Sequence, residues 1–177
     1  RRCNLMEDIG DKAAAEECYR RFIERCRSLG LKDTFCAWSC LHFAILLERL
    51  GRLEEAEEYY KLAIELSPYP DSDIFFSYAH LLKHGFGRTD EALEYYRLAV
   101  KYATKAERFS SCGQVFKDTY GLYKEALACF FKAFESPPHS YMASDFMRYL
   151  DKGELKKVIK ALRKRGEDCC DVIDMIT

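Results

Sequence analysis

The sequence predicts an all-α solenoid of stacked antiparallel helix pairs, and two recurring patterns support this fold class. In the first pattern, a glycine is followed five residues later by an alanine and four residues after that by an aromatic residue. Its four copies are Gly10, Ala15 and Tyr19; Gly51, Ala56 and Tyr60; Gly87, Ala92 and Tyr96; and Gly121, Ala126 and Phe130. Chance would give well under about one such series at this composition, so the pattern indicates an internal repeat.

The second pattern precedes each of the last three glycines. It places two apolar residues three positions apart, a small residue directly after them, and another apolar residue three positions further on. The three sets are Cys40, Phe43, Ala44 and Leu47; Phe75, Tyr78, Ala79 and Leu82; and Phe109, Cys112, Gly113 and Phe116. These offsets lie on one face of a helix, so each unit is predicted to be a helix, a glycine turn and a second helix. The small residues let the two helices approach closely, and the glycine suits a helix end that needs a left-handed residue.

End signals place these helix pairs along the chain. Pro68 and Pro70 end one second helix, because proline cannot continue a helix. Asp71, Ser72 and Asp73 are candidate caps for the helix that follows. The predicted layout is a partial first repeat at residues 1–30, mostly its second helix; repeats at 34–68, 71–103 and 105–138; a degenerate capping repeat with a basic last helix at 139–166; and a tail at 167–177.

The paired patterns resemble the tetratricopeptide repeat, whose matching residues here are 40–68, 75–99 and 109–138. Residues 85–92 also resemble the related Sel1-like repeat, and the half-a-tetratricopeptide repeat of RNA-processing complexes is a third relative. The resemblance implies a right-handed solenoid with a concave groove that is lined by the first helices of the pairs. Family members commonly hold a segment of another protein in that groove, and this is what the resemblance implies for this chain.

The groove offsets of the family select a set of candidate binding residues. They are Trp38, Leu41, Ile45, Phe76, His80, Lys83, Ser110, Gln114 and Lys117, with Glu48, Asp73 and Glu107 at further offsets. Trp38 is either a binding anchor or a core residue that packs near Tyr19 and Phe22. One subtype of the family holds acidic chaperone tails with lysine and asparagine. That function is disfavoured because Leu41, Ile45 and Phe76 stand at those places.

Composition and motifs exclude several classes of function. The 177 residues are 49% apolar, with 28 basic and 29 acidic side chains and a net charge of −1. This balance disfavours a dominant role in binding nucleic acid or anionic membranes, and no apolar run is long enough to span a membrane. The sequence has no phosphate-binding loop, serine elbow or metalloprotease pair. We therefore expect a protein that is not an enzyme and uses no cofactor.

The cysteines and histidines are the candidates for disulfide or metal chemistry. Nine cysteines at irregular spacing predict reduced thiols and hence an intracellular, cytoplasmic protein. Cys36 with Cys40, and His80 with His84, have the four-residue spacing of a shared metal on a helix. With only two ligands in each pair, we predict buried cysteines and exposed histidines rather than a metal site.

The densest positive patch is Lys156, Lys157, Lys160, Arg163 and Lys164. It is either the solvated face of a terminal helix or a surface for an acidic protein or RNA. The favoured function is an adaptor that binds a segment of a partner protein within a larger protein or complex. The alternatives are an RNA-processing scaffold that uses the basic helix, a regulatory domain attached to an enzyme, and a homodimer through the solenoid ends.

Overall fold

The computed structural model describes residues 11–135, together with Gly153, Lys156 and Lys160. Over residues 11–135 it contains seven helices and no strand, which confirms the predicted all-α helical repeat fold. The helices are α1 (Lys12–Ser28), α2 (Thr34–Arg49), α3 (Leu53–Leu66), α4 (Ser72–His84), α5 (Thr89–Tyr102), α6 (Ala106–Asp118) and α7 (Tyr123–Glu135). They fall into two compact units, Arg1–Ala103 and Thr104–Thr177.

Aspartate side chains fix the start of three helices. Asp11, Asp33 and Asp71 each accept a hydrogen bond from a backbone N–H in the first turn, at 3.0, 2.8 and 2.8 Å respectively. Such a cap satisfies a donor that has no partner inside the helix, and its removal typically costs about 1 kcal/mol. Of the three candidate caps at residues 71–73, Asp71 is the one that caps the helix.

The repeat glycines occupy the turns between paired helices. Gly51, Gly87 and Gly121 have φ angles of 76°, 68° and 64°. A side chain strains this left-handed region, which explains why the pattern requires glycine. At the end of α2, the N–H of Arg52 reaches back to the carbonyl of Leu47 at 3.0 Å, which closes the turn.

In the first unit, the recurring small and aromatic residues form a continuous core. All three alanines that follow a repeat glycine, Ala15, Ala56 and Ala92, are fully buried. Aromatic rings of successive helices pack in series. The ring centroids are 5.7 Å apart for Tyr19 and Phe43, 4.5 Å for Phe43 and Tyr59, 5.8 Å for Tyr60 and Tyr78, and 4.7 Å for Tyr78 and Tyr95. Each helix pair thus buries its apolar face against its neighbour.

In the second unit, α6 packs along α7 through the same pattern. Phe109, Cys112 and Phe116 are buried on α6. A Cβ atom at Gly113 would lie 2.9 Å from Cε1 of Phe130, so only glycine allows this close approach of the two helices. The small position of the sequence pattern is therefore a contact between helices.

Two arginine–glutamate clusters join successive repeats of the first unit, and we call them braces. Arg52 donates to Glu55 at 2.6 Å and to Glu16, 36 residues earlier, at 2.8 Å. Arg88 repeats this arrangement with Glu91 at 2.5 Å and with Glu57, 31 residues earlier, at 2.9 Å. Each arginine directly follows a repeat glycine, and each distant glutamate directly follows a repeat alanine.

The carboxylate of Glu57 makes the second brace sensitive to acid. Burial raises its pKa, but Lys61, Arg88 and the Tyr78 hydroxyl outweigh burial and lower the pKa from 4.5 to about 2. A lowered folded-state pKa gives stability that is present above about pH 4.5 and is lost as the pH falls towards about 2.

We therefore expect Glu57→Gln to reduce the free energy of unfolding by about 1–2 kcal/mol at pH 6. The difference from wild type should shrink steadily between pH 4.5 and 2, as measured by urea unfolding across that range. Glu58→Gln, at an exposed neighbouring position, is the matched control and should match wild type at every pH. A Glu57→Gln effect that did not change with pH would contradict this role of the carboxylate.

The cysteines differ from the prediction of reduced thiols. Cys26 and Cys36 form a disulfide with a Cα–Cα distance of 6.2 Å, and Cys18 is disulfide-bonded as well. The prediction is wrong for all three residues. For Cys26 and Cys36 the reason is that the turn between α1 and α2 brings the two helix ends together. Cys40, Cys112 and Cys129 are buried thiols, as the core pattern predicts for Cys40. The cysteines thus no longer support the predicted cytoplasmic location.

Across the part of the chain that the structure describes, no helix is both long enough and apolar enough to cross a membrane.

Candidate binding pocket between the first helices of two repeats

Three predicted groove residues meet in one pocket between α2 and α4. Ile45, Phe76 and His80 line a cavity of about 360 Å³. Its remaining lining residues are Glu48, Arg49, Tyr60 and Ser77. The pocket joins residues about 31 to 35 positions apart, because α2 and α4 are successive first helices of the repeat.

Hydrogen bonds hold the acidic side of the pocket in place. The buried Tyr60 hydroxyl donates to Oε2 of Glu48 at 2.9 Å. Nδ1 of His80 lies 3.7 Å from Oε1 of the same carboxylate. Phe76 packs edge-on against Tyr96, with ring centroids 5.4 Å apart. The pocket is therefore a preformed surface, with an apolar side and a polar side.

The charges of the pocket are set by these contacts. Burial raises the pKa of Glu48, but interactions with His80 and Tyr60 outweigh burial and hold the pKa below its ordinary value. Burial and the Glu48 charge raise the pKa of Tyr60, so its hydroxyl stays a donor. Burial, followed by the nearby His80 and Lys83, lowers the pKa of His84. Glu48 is thus a carboxylate over the whole neutral range.

The two histidines lie side by side at the pocket edge. The ring centroids of His80 and His84 are 4.4 Å apart, and both side chains are exposed. Within residues 11–135, no three His, Cys, Asp or Glu side chains come together in a way that could hold a metal ion. What this pocket offers is apolar contact from Ile45 and Phe76, and hydrogen bonds from Glu48 and His80.

Trp38 lies outside this pocket. Its indole N–H donates to Oδ2 of Asp71, the cap of α4, at 3.2 Å. The ring borders a separate, larger pocket that is also lined by Tyr19 and Phe22. Trp38 therefore lies near Tyr19 and Phe22, as expected for a core residue rather than a binding anchor. Its side chain is still partly exposed.

Two predicted groove residues need correction. Leu41 is only 3% exposed and Ser110 only 7%, so neither side chain is available to a partner in this structure. Leu41 faces the core from α2, and Ser110 lies beside the buried Phe109. The family offsets alone do not reveal this, because a shift of one residue rotates a side chain by about 100° around the helix.

The other predicted residues have separate surroundings. Lys83 is half-buried on α4. In the second unit, the Gln114 amide donates to Asp118, and Nζ of Lys117 lies 3.3 Å from the same carboxylate.

In the predicted basic patch, Lys156 and Lys160 are helical and exposed. Lys157, Arg163 and Lys164 of that patch lie outside the described residues, as do the capping repeat beyond its three described positions and the tail.

Sequence reasoning missed Arg49, Tyr60 and Ser77 as pocket residues. The sequence pattern identifies Tyr60 only as the aromatic of the repeat, but its hydroxyl reaches the pocket from the second helix of the pair. Arg49 and Ser77 lie next to selected positions, at the edge of the face that the offsets identify. A search for polar groups flanking the predicted face would have found both.

A comparison with protein families concerns the central repeat. Residues 39–70 match the sequence profile of the tetratricopeptide repeat. The matched segment contains most of α2, all of α3 and the turn to α4, so the predicted resemblance is confirmed.

Comparison with solved structures supports the helical repeat fold over more of the chain. A crystal structure of MamA is 14% identical, with a TM-score of 0.58, and the match covers 98% of this chain and 90% of that one. A second crystal structure of the MamA protein is 15% identical, with a TM-score of 0.56 and coverage of 92% and 85%. At this identity the likeness shows the fold alone, which is an all-α helical repeat. A search of curated proteins finds no match.

Proposed function

We propose that the chain is an interaction scaffold, without enzymatic activity, that binds an extended segment of a partner protein in the pocket between α2 and α4. The observation that carries the proposal is the convergence of Ile45, Phe76 and His80 with Glu48 on one preformed surface. The tetratricopeptide repeat at residues 39–70 supports an interaction role, since its two helices supply most of this pocket.

The chemistry of the pocket suits a peptide backbone with one apolar side chain. Ile45 and Phe76 offer apolar contact, and a cavity of about 360 Å³ has room for one or two side chains. Glu48 accepts hydrogen bonds, Arg49 donates them, and His80 adds a further polar ring. An extended segment presents unpaired N–H and C=O groups, so this mixture of donors and acceptors matches it.

The test is affinity capture from native extract followed by mass spectrometry. The pocket variant carries Ile45→Ser and His80→Ala; Phe76 is kept because it packs against Tyr96 in the core. The matched control carries Glu54→Ser and Glu58→Ala, two exposed positions of α3 outside the pocket. All three proteins are checked for folding by circular dichroism.

We expect a protein partner that is captured by wild type and by the control but is lost, by roughly tenfold or more, with the pocket variant. Equal capture by all three proteins would contradict the proposed site. If RNA dominated the captured material, the runner-up function would gain support. That function is an RNA-processing scaffold, and the exposed Lys156 and Lys160 favour it.

A further inference from the structure

One carboxylate of the pocket between α2 and α4 differs in its partners from the other shielded glutamates of the first unit. The side chain of Glu48 is 26% exposed. Among the described residues it accepts a hydrogen bond from the Tyr60 hydroxyl at 2.9 Å and lies 3.7 Å from Nδ1 of His80. No lysine or arginine of that part of the chain lies within ion-pair distance of it. Glu48 is thus a partly buried carboxylate without a permanent cation beside it.

The distant glutamates of the two braces show how the same fold treats a carboxylate of similar exposure. The side chains of Glu16 and Glu57 are 23% and 15% exposed. Each has two cationic partners at 2.8 to 3.0 Å: Arg20 and Arg52 for Glu16, and Lys61 and Arg88 for Glu57. A charge that leaves water needs opposite charge or hydrogen bonds to replace its hydration. Glu48 has no such lysine or arginine, so a bound partner can supply one.

The walls of the pocket suit the stem of a long basic side chain. Ile45 and Phe76 line the same cavity as Glu48. Lysine and arginine bury their methylene stems along apolar surface while the charged end reaches a polar group. Arg49 also lines the pocket, but its side chain is exposed and keeps its hydration. Because charge pairing is stronger where water is excluded, the carboxylate gains more from a partner than Arg49 does.

We propose that the partner segment bound in this pocket carries a lysine or arginine whose charged group pairs with the Glu48 carboxylate. This inference rests on the proposed function, because it names the residue that the bound segment places in the pocket. The stem of that residue covers Ile45 and Phe76. Its charge gives Glu48 the counter-ion that Arg88 gives Glu57 within the chain. The pocket therefore selects a basic segment over an acidic one.

A phage library of random dodecapeptides identifies the segments that the pocket binds. The library is selected on the wild-type full chain, and clones that also bind the Ile45→Ser, His80→Ala pocket variant are discarded. We expect the remaining clones to share a lysine or arginine. If no clone depends on the pocket, the proposed function itself is wrong. If clones depend on the pocket but share no basic residue, peptide binding stands and the pairing with Glu48 is overturned.

Fluorescence anisotropy then measures a selected peptide against two charge variants, both checked for folding by circular dichroism. Glu48→Gln removes the negative charge but keeps an oxygen for the Tyr60 hydroxyl, and we expect it to weaken binding by roughly tenfold. Glu54→Gln removes the same charge at an exposed position of α3 outside the pocket, and it should bind like wild type. Equal affinity of Glu48→Gln and wild type would overturn the proposal.

A second peptide, with norleucine in place of the basic residue, tests whether the two charges act on each other. Norleucine keeps an apolar stem without the charge, so wild type should bind this peptide roughly tenfold more weakly. Glu48→Gln should bind both peptides with nearly equal affinity, because its half of the charge pair is already absent. An equal loss in wild type and in Glu48→Gln would show that the charges act independently, which contradicts the pairing. Each protein is compared with itself, so the stability of the variant does not affect this result.

Discussion

Replacing Phe43 with alanine is expected to lower the free energy of unfolding of the first unit by about 3–5 kcal/mol. The side chain is fully buried, stacks on Tyr19 and packs edge-on against Tyr59. The guanidinium of Arg20 also lies 5.3 Å from the ring centroid. The ring therefore links α1, α2 and α3, and its removal leaves a cavity among three helices that cannot collapse freely.

Phe35→Ala provides the matched control, because Phe35 lies on the same helix and is 81% exposed. The free energy of unfolding of this variant should stay within about 0.5 kcal/mol of that of wild type. Urea unfolding followed by circular dichroism measures both variants. Equal losses for the two phenylalanines would show that Phe43 does not have the structural role assigned to it.

Removing the disulfide with Cys26→Ala and Cys36→Ala is expected to lower the free energy of unfolding by about 2–3 kcal/mol under oxidising conditions. The bond joins residues that are 10 positions apart and restricts the unfolded chain. It also ties the end of α1 to the start of α2, beside the pocket that Trp38 borders.

Reductant supplies the control for this prediction. Cys18→Ala is included in both proteins so that only the Cys26–Cys36 bond responds to reductant. Under reductant, the protein that keeps both cysteines should unfold at nearly the same urea concentration as the double alanine variant, whereas in oxidant it should be more stable. Coincident unfolding curves in oxidant would rule out a stabilising bond.

The helices and the core were predictable from the sequence because the repeat fixes local conformation. A glycine at a left-handed turn, such as Gly51, and a small residue at a helix contact, such as Ala44, are recognised without knowledge of distant contacts. Burial of Phe43 and Leu47 follows from the same periodicity. The convergence of Ile45 with Phe76 is also a consequence of the repeat, since both stand on first helices.

Contacts that depend on the approach of separate helices could not be predicted in this way. Cys26 and Cys36 belong to no regular spacing, and their bond depends on the tight turn between α1 and α2. The exposed Phe35 fits an apolar pattern as well as a buried residue does. The inward position of Leu41 depends on helix rotation, which the spacing does not fix to within one residue.

The two braces have a consequence for how such a chain can be rearranged by recombination. The helix pair from Thr34 to Leu66 carries both an arginine for the pair before it and a glutamate for the pair after it. The next pair carries Arg88, but it has Leu93 at the position that corresponds to Glu57. The pair after it has Leu122 at the position that corresponds to Arg52 and Arg88. The first of these pairs could be duplicated in tandem with its charges still matched. If the order of the later pairs were exchanged, the Glu57 carboxylate would face Leu122 instead of Arg88. The charged residues on the pairs therefore favour one sequential order.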